Sequence, residues 1–247
     1  MSKIITVLGG NGFVGSRCIR KILSSVSDAK VYAICRSGKL NYPDEIIDMK
    51  RVEVIKGDCL SPSSFEDIIK NSTGIIHSIG VLLTNNNQEY HLQNKETCLR
   101  VAKIADEAGR SEKINLVYVS AERGIPFPLS LKYHGYIESK RECEKSLESL
   151  RNINPIILRP GFVKSDSKKW TLPIYYSVNA AHFIEKNILS KINSNIGNTL
   201  QLPSDGIELD TLAHFAAAGA LGKLIPHEIY SNDFLNNRMN LDKIKLV

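Results

Sequence analysis

The sequence lacks the features of several protein classes. No apolar run approaches the roughly 20 residues that a membrane-spanning helix needs, and no internal repeat or long linker interrupts the chain. The first predicted strand begins at Lys3, so we expect no signal peptide before it. With 247 residues, 43% of them hydrophobic, the chain can build one substantial core. We therefore expect one globular domain over residues 1–247, soluble or held peripherally at a membrane.

Cysteine is present in a pattern that excludes two kinds of site. The five cysteines are an odd number, scattered without any CxxC pair: Cys18, Cys35, Cys59, Cys98 and Cys143. Such spacing predicts neither a disulfide framework nor a metal site. We expect five small buried thiols in a reducing compartment.

Long basic runs are also absent. The net charge is +6, but lysine and arginine are dispersed, and no basic run is interleaved with aromatic residues. Nucleic acid is therefore not an expected partner. A basic surface suits an anionic cofactor, an acidic membrane surface or an acidic protein equally well.

A glycine-rich turn near the start carries the first positive signal. In "VLGGNGFVG", residues 7–15, Gly9, Gly12 and Gly15 follow a predicted strand, and Phe13 and Val14 open a predicted helix. The first glycine permits the tight reversal, the second lets a pyrophosphate approach the backbone, and the third brings the helix against the sheet. The pattern predicts a dinucleotide site; the alternative is an ordinary glycine-rich turn.

Strand and helix patterns alternate through the first two thirds of the chain. Strands are predicted at Lys3–Leu8, Lys30–Cys35, Val52–Lys56, Gly74–Ser78, Leu116–Ser120 and Ile156–Arg159. Helices are predicted at Phe65–Ile69, Glu89–Ala108, Tyr136–Leu150 and Leu209–Gly222. This alternation predicts an α/β fold, a Rossmann-type doubly wound parallel sheet. Residues 162–247 are expected to form a small extension that contributes the substrate or partner side.

One segment of that extension, Trp170–Leu189, is rich in apolar and aromatic residues. An apolar substrate, a membrane surface or a partner protein could cover it. The alternative is that these side chains pack the extension onto the sheet.

The end of the second predicted strand bears on the choice of cofactor. A site that prefers NAD usually places an acidic residue there for the ribose diol, whereas this chain has Arg36, Ser37 and Lys39 in "CRSGK". Two cations and a hydroxyl match a 2′-phosphate better, which favours NADP(H) over NAD(H). Asp58, after the third strand, could accept the adenine amino group; a turn cap is the alternative.

A third motif suits carbonyl chemistry. Tyr136 and Lys140 are four residues apart, hence on one face of a helix. A phenol is a poor acid–base catalyst at neutral pH, and a nearby ammonium is expected to lower its pKa. Ser120, at the end of the fifth predicted strand, could hydrogen-bond the same substrate oxygen.

Together these motifs resemble the short-chain dehydrogenase/reductase superfamily over nearly the whole chain. The atypical branch is indicated by "IIHSIGVLL", "YVSAERG", "GYIESKRECE" and "LRPGFV". The resemblance implies a Rossmann fold, NADP(H), and a catalytic set of Ser120, Tyr136, Lys140 and Asn94. It further implies cofactor contacts from Tyr136 and Lys140 and from four residues in the matching loops: Ser78, Gly80, Pro160 and Gly161.

Two functions follow from the resemblance. The first is reduction of a carbonyl of a quinone-like or other apolar substrate in mitochondria. The second is a non-catalytic NADPH-bound subunit or assembly factor of respiratory complex I or of a coenzyme Q synthesis complex. The branch implies the matrix side of the inner membrane, with the cytoplasm as the alternative.

Overall fold

Strands and helices alternate as the sequence predicts. The computed structural model describes residues 3–41, 48–84, 86–122, 135–164 and 205–246. The strands are β1 (Lys3–Leu8), β2 (Ala29–Cys35), β3 (Val52–Lys56), β4 (Gly74–His77), β5 (Ile114–Val119), β6 (Ile153–Leu158), β7 (Val163–Lys164), β8 (Ile207–Glu208) and β9 (Ile229–Tyr230).

Six of the described α-helices lie between these strands in the chain, and two follow the last strand. They are α1 (Phe13–Ser25), α2 (Glu66–Asn71), α3 (Asn87–His91), α4 (Thr97–Asp106), α5 (Gly135–Glu148), α6 (Leu209–Ala220), α7 (Asn232–Asn236) and α8 (Arg238–Lys243). A π-helical turn, Leu92–Glu96, joins α3 to α4. The predicted helix at Glu89–Ala108 is thus two α-helices with a π turn between them.

Seven of the described strands form one parallel sheet, in the order β3-β2-β1-β4-β5-β6-β9. The order reverses between β1 and β4, and ligands of such sheets bind beyond the carboxyl ends of the strands at that reversal. The doubly wound Rossmann-type fold is confirmed. The short strand β9, which lies on the edge beside β6, was not predicted.

Hydrophobic cores cover both faces of the sheet. On one face α1 and α6 pack together, with Ile19, Ile22, Leu212 and Phe215 fully buried. On the other face α4 and α5 supply Val101, Cys98, Cys143 and Leu147. The predicted apolar face of α1 therefore lies against the sheet, which aims the first turn of that helix at the carboxyl end of β1.

Helix α6 belongs to the C-terminal part of the chain and packs onto the sheet. This helix lies beside α1 and contacts β4 and β5, so it completes the core of the nucleotide domain. Its residues are nearly all apolar or small, and such a helix is stable only when it is buried. The apolar segment Trp170–Leu189 lies outside the described residues.

The cysteines confirm the expectation of buried thiols, because all five are free and buried. Within the described ranges, none of the helices combines the length and apolar character that crossing a bilayer requires.

A tight contact between α6 and β4 generates a first prediction. A Cβ on Gly74 would lie 2.1 Å from the carbonyl oxygen of Ala220, which is backbone and cannot rotate away. Gly74→Ala should therefore force α6 off the sheet and lower the free energy of unfolding by about 1–3 kcal/mol, as overpacking of a core does. Urea unfolding followed by circular dichroism measures this; an unchanged midpoint would show that the helix end yields freely.

Candidate dinucleotide site

The glycine turn has the close approach that the motif predicts. Gly9 has a φ of +80°, and its carbonyl oxygen accepts the N–H of Gly12 at 2.8 Å. A Cβ on Gly15 would lie 2.3 Å from that same oxygen, so only glycine lets α1 approach β1 this closely. Gly12 is the N-cap of α1 and has no side chain that could cover the N–H groups of the first turn. The first two residues of that turn, Phe13 and Val14, are half-buried. The turn thus presents a helix N-terminus to an anion.

A cleft runs from this turn across the carboxyl ends of the first four strands. Four of its lining residues were predicted at the turn and the neighbouring strand ends: Gly9, Gly12, Arg36 and Asp58. Ser78 and Gly80, implied by the family resemblance, also line it. The remaining lining residues are Asn11, Ile34, Cys35, Gly57, Cys59, Ile79, Gln93 and Thr97.

Cationic side chains lie at the β2 end of the cleft. Arg36 and Lys39 are exposed, and the guanidinium of Arg36 has no ion-pair partner within the described part of the chain. Ser37 is held in place, because its hydroxyl donates to the Lys39 carbonyl at 3.0 Å and accepts from Asn11 Nδ2 at 3.2 Å. Hydrogen bonds therefore hold this loop, with Arg36 on the cleft lining and Lys39 exposed beside it.

Asp58 and Ser78 both make local contacts at the cleft. Asp58 Oδ1 accepts the N–H of Leu60 at 2.9 Å, which is the turn cap that the sequence left open as the alternative. The Ser78 hydroxyl donates to the Leu8 carbonyl at 2.8 Å and so ties the end of β4 to the end of β1. Asp58 and Ser78 therefore line the cleft and also hold the backbone of its wall in position.

Gly80, Asn94 and Lys140 meet at the far end of the cleft. A Cβ on Gly80 would lie 2.9 Å from Asn94 Oδ1 and 3.7 Å from Lys140 Nζ. The Asn94 amide is used within the protein: it accepts the Val81 N–H at 2.8 Å and donates to the Val81 carbonyl at 3.1 Å and the Ser139 hydroxyl at 3.3 Å. Asn94 lies on the π turn, a deviation that is frequent at functional sites.

The predicted pair of Tyr136 and Lys140 is brought together on α5. Lys140 Nζ is 5.6 Å from the centre of the Tyr136 ring and donates to the Val119 carbonyl at 2.9 Å. Burial lowers the pKa of Lys140 to about 8 and raises the pKa of Tyr136 to about 12. The expectation that Lys140 lowers the tyrosine pKa is wrong here, because desolvation dominates. Tyr136 is therefore a protonated phenol at neutral pH.

Ser120 is buried and makes its hydrogen bonds within the protein. It is 3% exposed, and its hydroxyl donates to the carboxylate of Glu144. Two arginines complete this cluster: Arg141 Nη1 lies 2.6 Å from Glu144 Oε1 and Arg159 Nη2 lies 2.5 Å from Glu144 Oε2. The cluster was not predicted, since charged residues on a helix are usually solvated. The spacing of Arg141 and Glu144, three residues apart on one helix, was the available signal.

Pro160 and Gly161, on the loop after β6, are held by a residue that sequence reasoning missed. The Gly161 N–H donates to Asn232 Oδ1 at 2.6 Å, and the Asn232 N–H donates to Glu122 Oε2 at 2.9 Å. The Pro160 carbonyl accepts the Glu122 N–H at 2.8 Å. Buried Asn232 thus joins the ends of β5 and β6, a contact across 71 residues that no local pattern reveals.

His77 is a second buried residue that the sequence analysis passed over. Its Nε2 lies 3.0 Å from the Thr97 hydroxyl, which itself donates to the Gln93 carbonyl at 2.8 Å. The hydroxyl has one proton, so His77 Nε2 must be the donor in their shared bond. Burial lowers the pKa of His77 to about 3, and the ring is neutral.

A comparison with solved structures shows the same fold. The Bordetella bronchiseptica enzyme WbmF in complex with NAD+ has a TM-score of 0.62 at 15% identity, covering 100% of this chain and 81% of that one. The Helicobacter pylori ADP-L-glycero-D-manno-heptose-6-epimerase has a TM-score of 0.62 at 16% identity, covering 93% and 76%.

Sequence comparison adds two relatives and a family. MIOREX complex component 2 of Saccharomyces cerevisiae is 29% identical, covering 64% of this chain and 72% of that protein. An uncharacterized chloroplastic protein of Arabidopsis thaliana is 30% identical over 68% of this chain, which spans only 53% of that protein. The model of the NAD(P)H-binding family matches residues 9–177. The chain therefore belongs to the NAD(P)H-binding family, as an atypical short-chain dehydrogenase/reductase.

Proposed function

We propose that this chain is an NADP(H)-dependent oxidoreductase that reduces a carbonyl of a quinone-like or other apolar substrate. The observation that carries the proposal is the buried ammonium of Lys140 beside Tyr136, at the end of the cleft where Gly80 and Asn94 meet. A buried lysine is costly unless it has a partner or a task. The Lys140 ammonium has a partner in the Val119 carbonyl and retains donors for a ligand.

The cleft residues fit a dinucleotide along its length. The N-terminus of α1 at Gly12 would hold the pyrophosphate, Arg36 and Lys39 a 2′-phosphate, and Asp58 the adenine amino group. Lys140 would hold the ribose of the nicotinamide half. The bound nucleotide supplies a hydride to the carbonyl carbon.

Tyr136 supplies the proton in this proposal. Because its pKa is raised to about 12, the phenol carries its proton at neutral pH and can donate it to the carbonyl oxygen as the hydride arrives. The product is an alcohol, and the tyrosinate regains its proton from solvent. The positive charge that favours this tyrosinate is that of Arg141, although desolvation outweighs it. Ser120 has no part, since its hydroxyl is committed to Glu144.

A second candidate is a subunit that holds NADP(H) without turnover, in a respiratory or quinone-synthesis complex. The observation that favours it is the internal use of two predicted catalytic groups, the Ser120 hydroxyl and the Asn94 amide. The name of the yeast relative, a complex component, also favours a role as a subunit. Tyr136 and Lys140 would then only clasp the nucleotide.

An organellar location accords with either candidate. One relative is named as chloroplastic. We propose the mitochondrial matrix side of the inner membrane, which the family resemblance implies and which the absence of disulfides among the five cysteines allows.

The glycine turn gives a test of nucleotide binding. Gly12→Asp places a carboxylate at the N-cap of α1, where it would occupy and repel the pyrophosphate position. We expect NADPH affinity to fall by at least about a hundredfold, a loss of roughly 2.7 kcal/mol. Titration calorimetry measures it, and unchanged affinity would refute the assignment of the turn. Aspartate is itself a favourable N-cap, so folding should be retained.

Cofactor preference is tested at Arg36. Wild-type protein should bind NADPH more tightly than NADH, and Arg36→Asp should lower NADPH affinity about tenfold or more while sparing NADH. Lys103→Asp, an exposed change of equal charge on α4, is the control and should leave the ratio unchanged. Equal wild-type affinities for the two nucleotides would contradict the NADP(H) proposal.

The two candidate functions separate at Tyr136. Tyr136→Phe removes one hydroxyl and should lower turnover of a quinone-like carbonyl compound at least about a hundredfold, with NADPH affinity nearly unchanged. Lys140→Met should weaken NADPH binding in either case. If Tyr136→Phe restores a null strain fully and Lys140→Met does not, the chain acts by holding a nucleotide and the oxidoreductase proposal is wrong.

A further inference from the structure

Helix α5 is fastened to the carboxyl end of β5 along four consecutive residues, 119–122. Lys140 Nζ donates to the Val119 carbonyl at 2.9 Å, and the carboxylate of Glu144 accepts from the Ser120 hydroxyl. Arg141 Nη2 donates to the carbonyl oxygens of Ala121 and Glu122, both at 2.8 Å. Lys140, which we assign to the nucleotide, is thus one of three α5 residues whose side chains hydrogen-bond residues 119–122; we call this row of contacts the seam.

Glu144 is the common partner in this seam. Its carboxylate is 3% exposed and accepts from Arg141 Nη1 at 2.6 Å and from Arg159 Nε and Nη2 at 3.1 Å and 2.5 Å. Burial acts to raise the pKa of Glu144, but hydrogen bonds from Arg159 and Ser120 outweigh it, and the pKa is lowered. The group is an anion that draws together α5, the end of β5 and the end of β6.

We propose that Glu144 is a positioning residue for the nucleotide site, which fixes Arg141 and through it residues 119–122, so that Lys140 is aimed at the cleft. The proposal rests on the assignment of Lys140 to the nucleotide. In this proposal the direction of the Lys140 ammonium depends on the carboxylate of Glu144, one helical turn further along α5, and Glu144 itself contacts neither the nucleotide nor the substrate.

The hydrogen-bond geometry of Lys140 explains why the strand end must be fixed. An ammonium has three N–H donors, and one is directed at the Val119 carbonyl. The directions of the other two follow from that bond. If residues 119–122 shift, the remaining donors turn away from the cleft, although the helix and its apolar core stay intact.

Glu144→Gln is the test, because it keeps shape and one acceptor but removes the charge. Glu148→Gln is the matched control, an exposed glutamate on the same helix. In nucleotide-free protein, amide hydrogen exchange should quicken at Ser120 and Glu122, whose N–H groups donate to Leu158 and Pro160. The control should exchange as the wild type does.

NADPH affinity as a function of pH gives the second readout. The wild-type affinity should fall as pH rises through about 8, because Lys140 loses its proton there. The titratable groups facing Lys140 are His77 on β4, Cys98 on α4, Tyr118 on β5, and Tyr136, Arg141, Cys143 and Glu144 on α5. Glu144 favours the charged ammonium. Its loss should therefore move the midpoint to lower pH and weaken binding about tenfold at neutral pH.

The outcomes are distinct. A midpoint shift with faster exchange in Glu144→Gln, and neither in Glu148→Gln, supports the proposal. Equal exchange in wild type and Glu144→Gln overturns it, and so does an affinity loss that is uniform across pH, which only a general destabilisation would give. If wild-type protein binds no NADPH, the proposed function fails, while the exchange measurement still decides whether Glu144 fixes the strand end.

Discussion

The approach of α1 to β1 is the constraint from which the rest of the site follows. A Cβ on Gly15 would be 2.3 Å from the Gly9 carbonyl oxygen, so the backbone of the helix touches the backbone of the turn. This contact points the uncapped first turn of α1 into the cleft between β1 and β4. An anion placed there meets unpaired N–H groups and the positive end of the helix dipole. Arg36, Ser78 and Gly80 line the same cleft.

Polar groups are concentrated at the carboxyl edge of the sheet, and most are satisfied by the protein itself. Ser78 bonds β1, Asn94 bonds the segment after β4, and Glu144 bonds two arginines and Ser120. Buried polar groups need such partners, because an unpaired one costs about 1–3 kcal/mol. These side chains are therefore held in place by the protein itself. Pre-positioned groups of this kind reduce the entropy that binding must overcome.

Two residues at the same edge are less completely satisfied. Lys140 retains donors beyond its bond to the Val119 carbonyl, and Tyr136 is a half-buried phenol whose pKa is raised to about 12 by desolvation. Among the described residues, His77 Nδ1 is also buried without a hydrogen-bond partner. Lys140 lies near Gly80 at one end of the cleft, where the nicotinamide half of the proposed cofactor would bind.

The sequence alone determined the alternating strands and helices, the parallel doubly wound sheet and the glycine turn, because each follows from local periodicity or from a conformation that only glycine adopts. It also determined that Tyr136 and Lys140 share a helix face, since four residues nearly complete a turn. Only the tertiary structure decided the direction of the Ser120 side chain, the burial that raises the tyrosine pKa, the place of α6 beside α1 and the contacts of Asn232. Those features depend on groups far apart in the chain, such as the 24, 71 and 110 residues that separate the partners of the Ser120, Gly161 and Asn232 hydrogen bonds, and their proximity is created by packing and leaves no periodic trace.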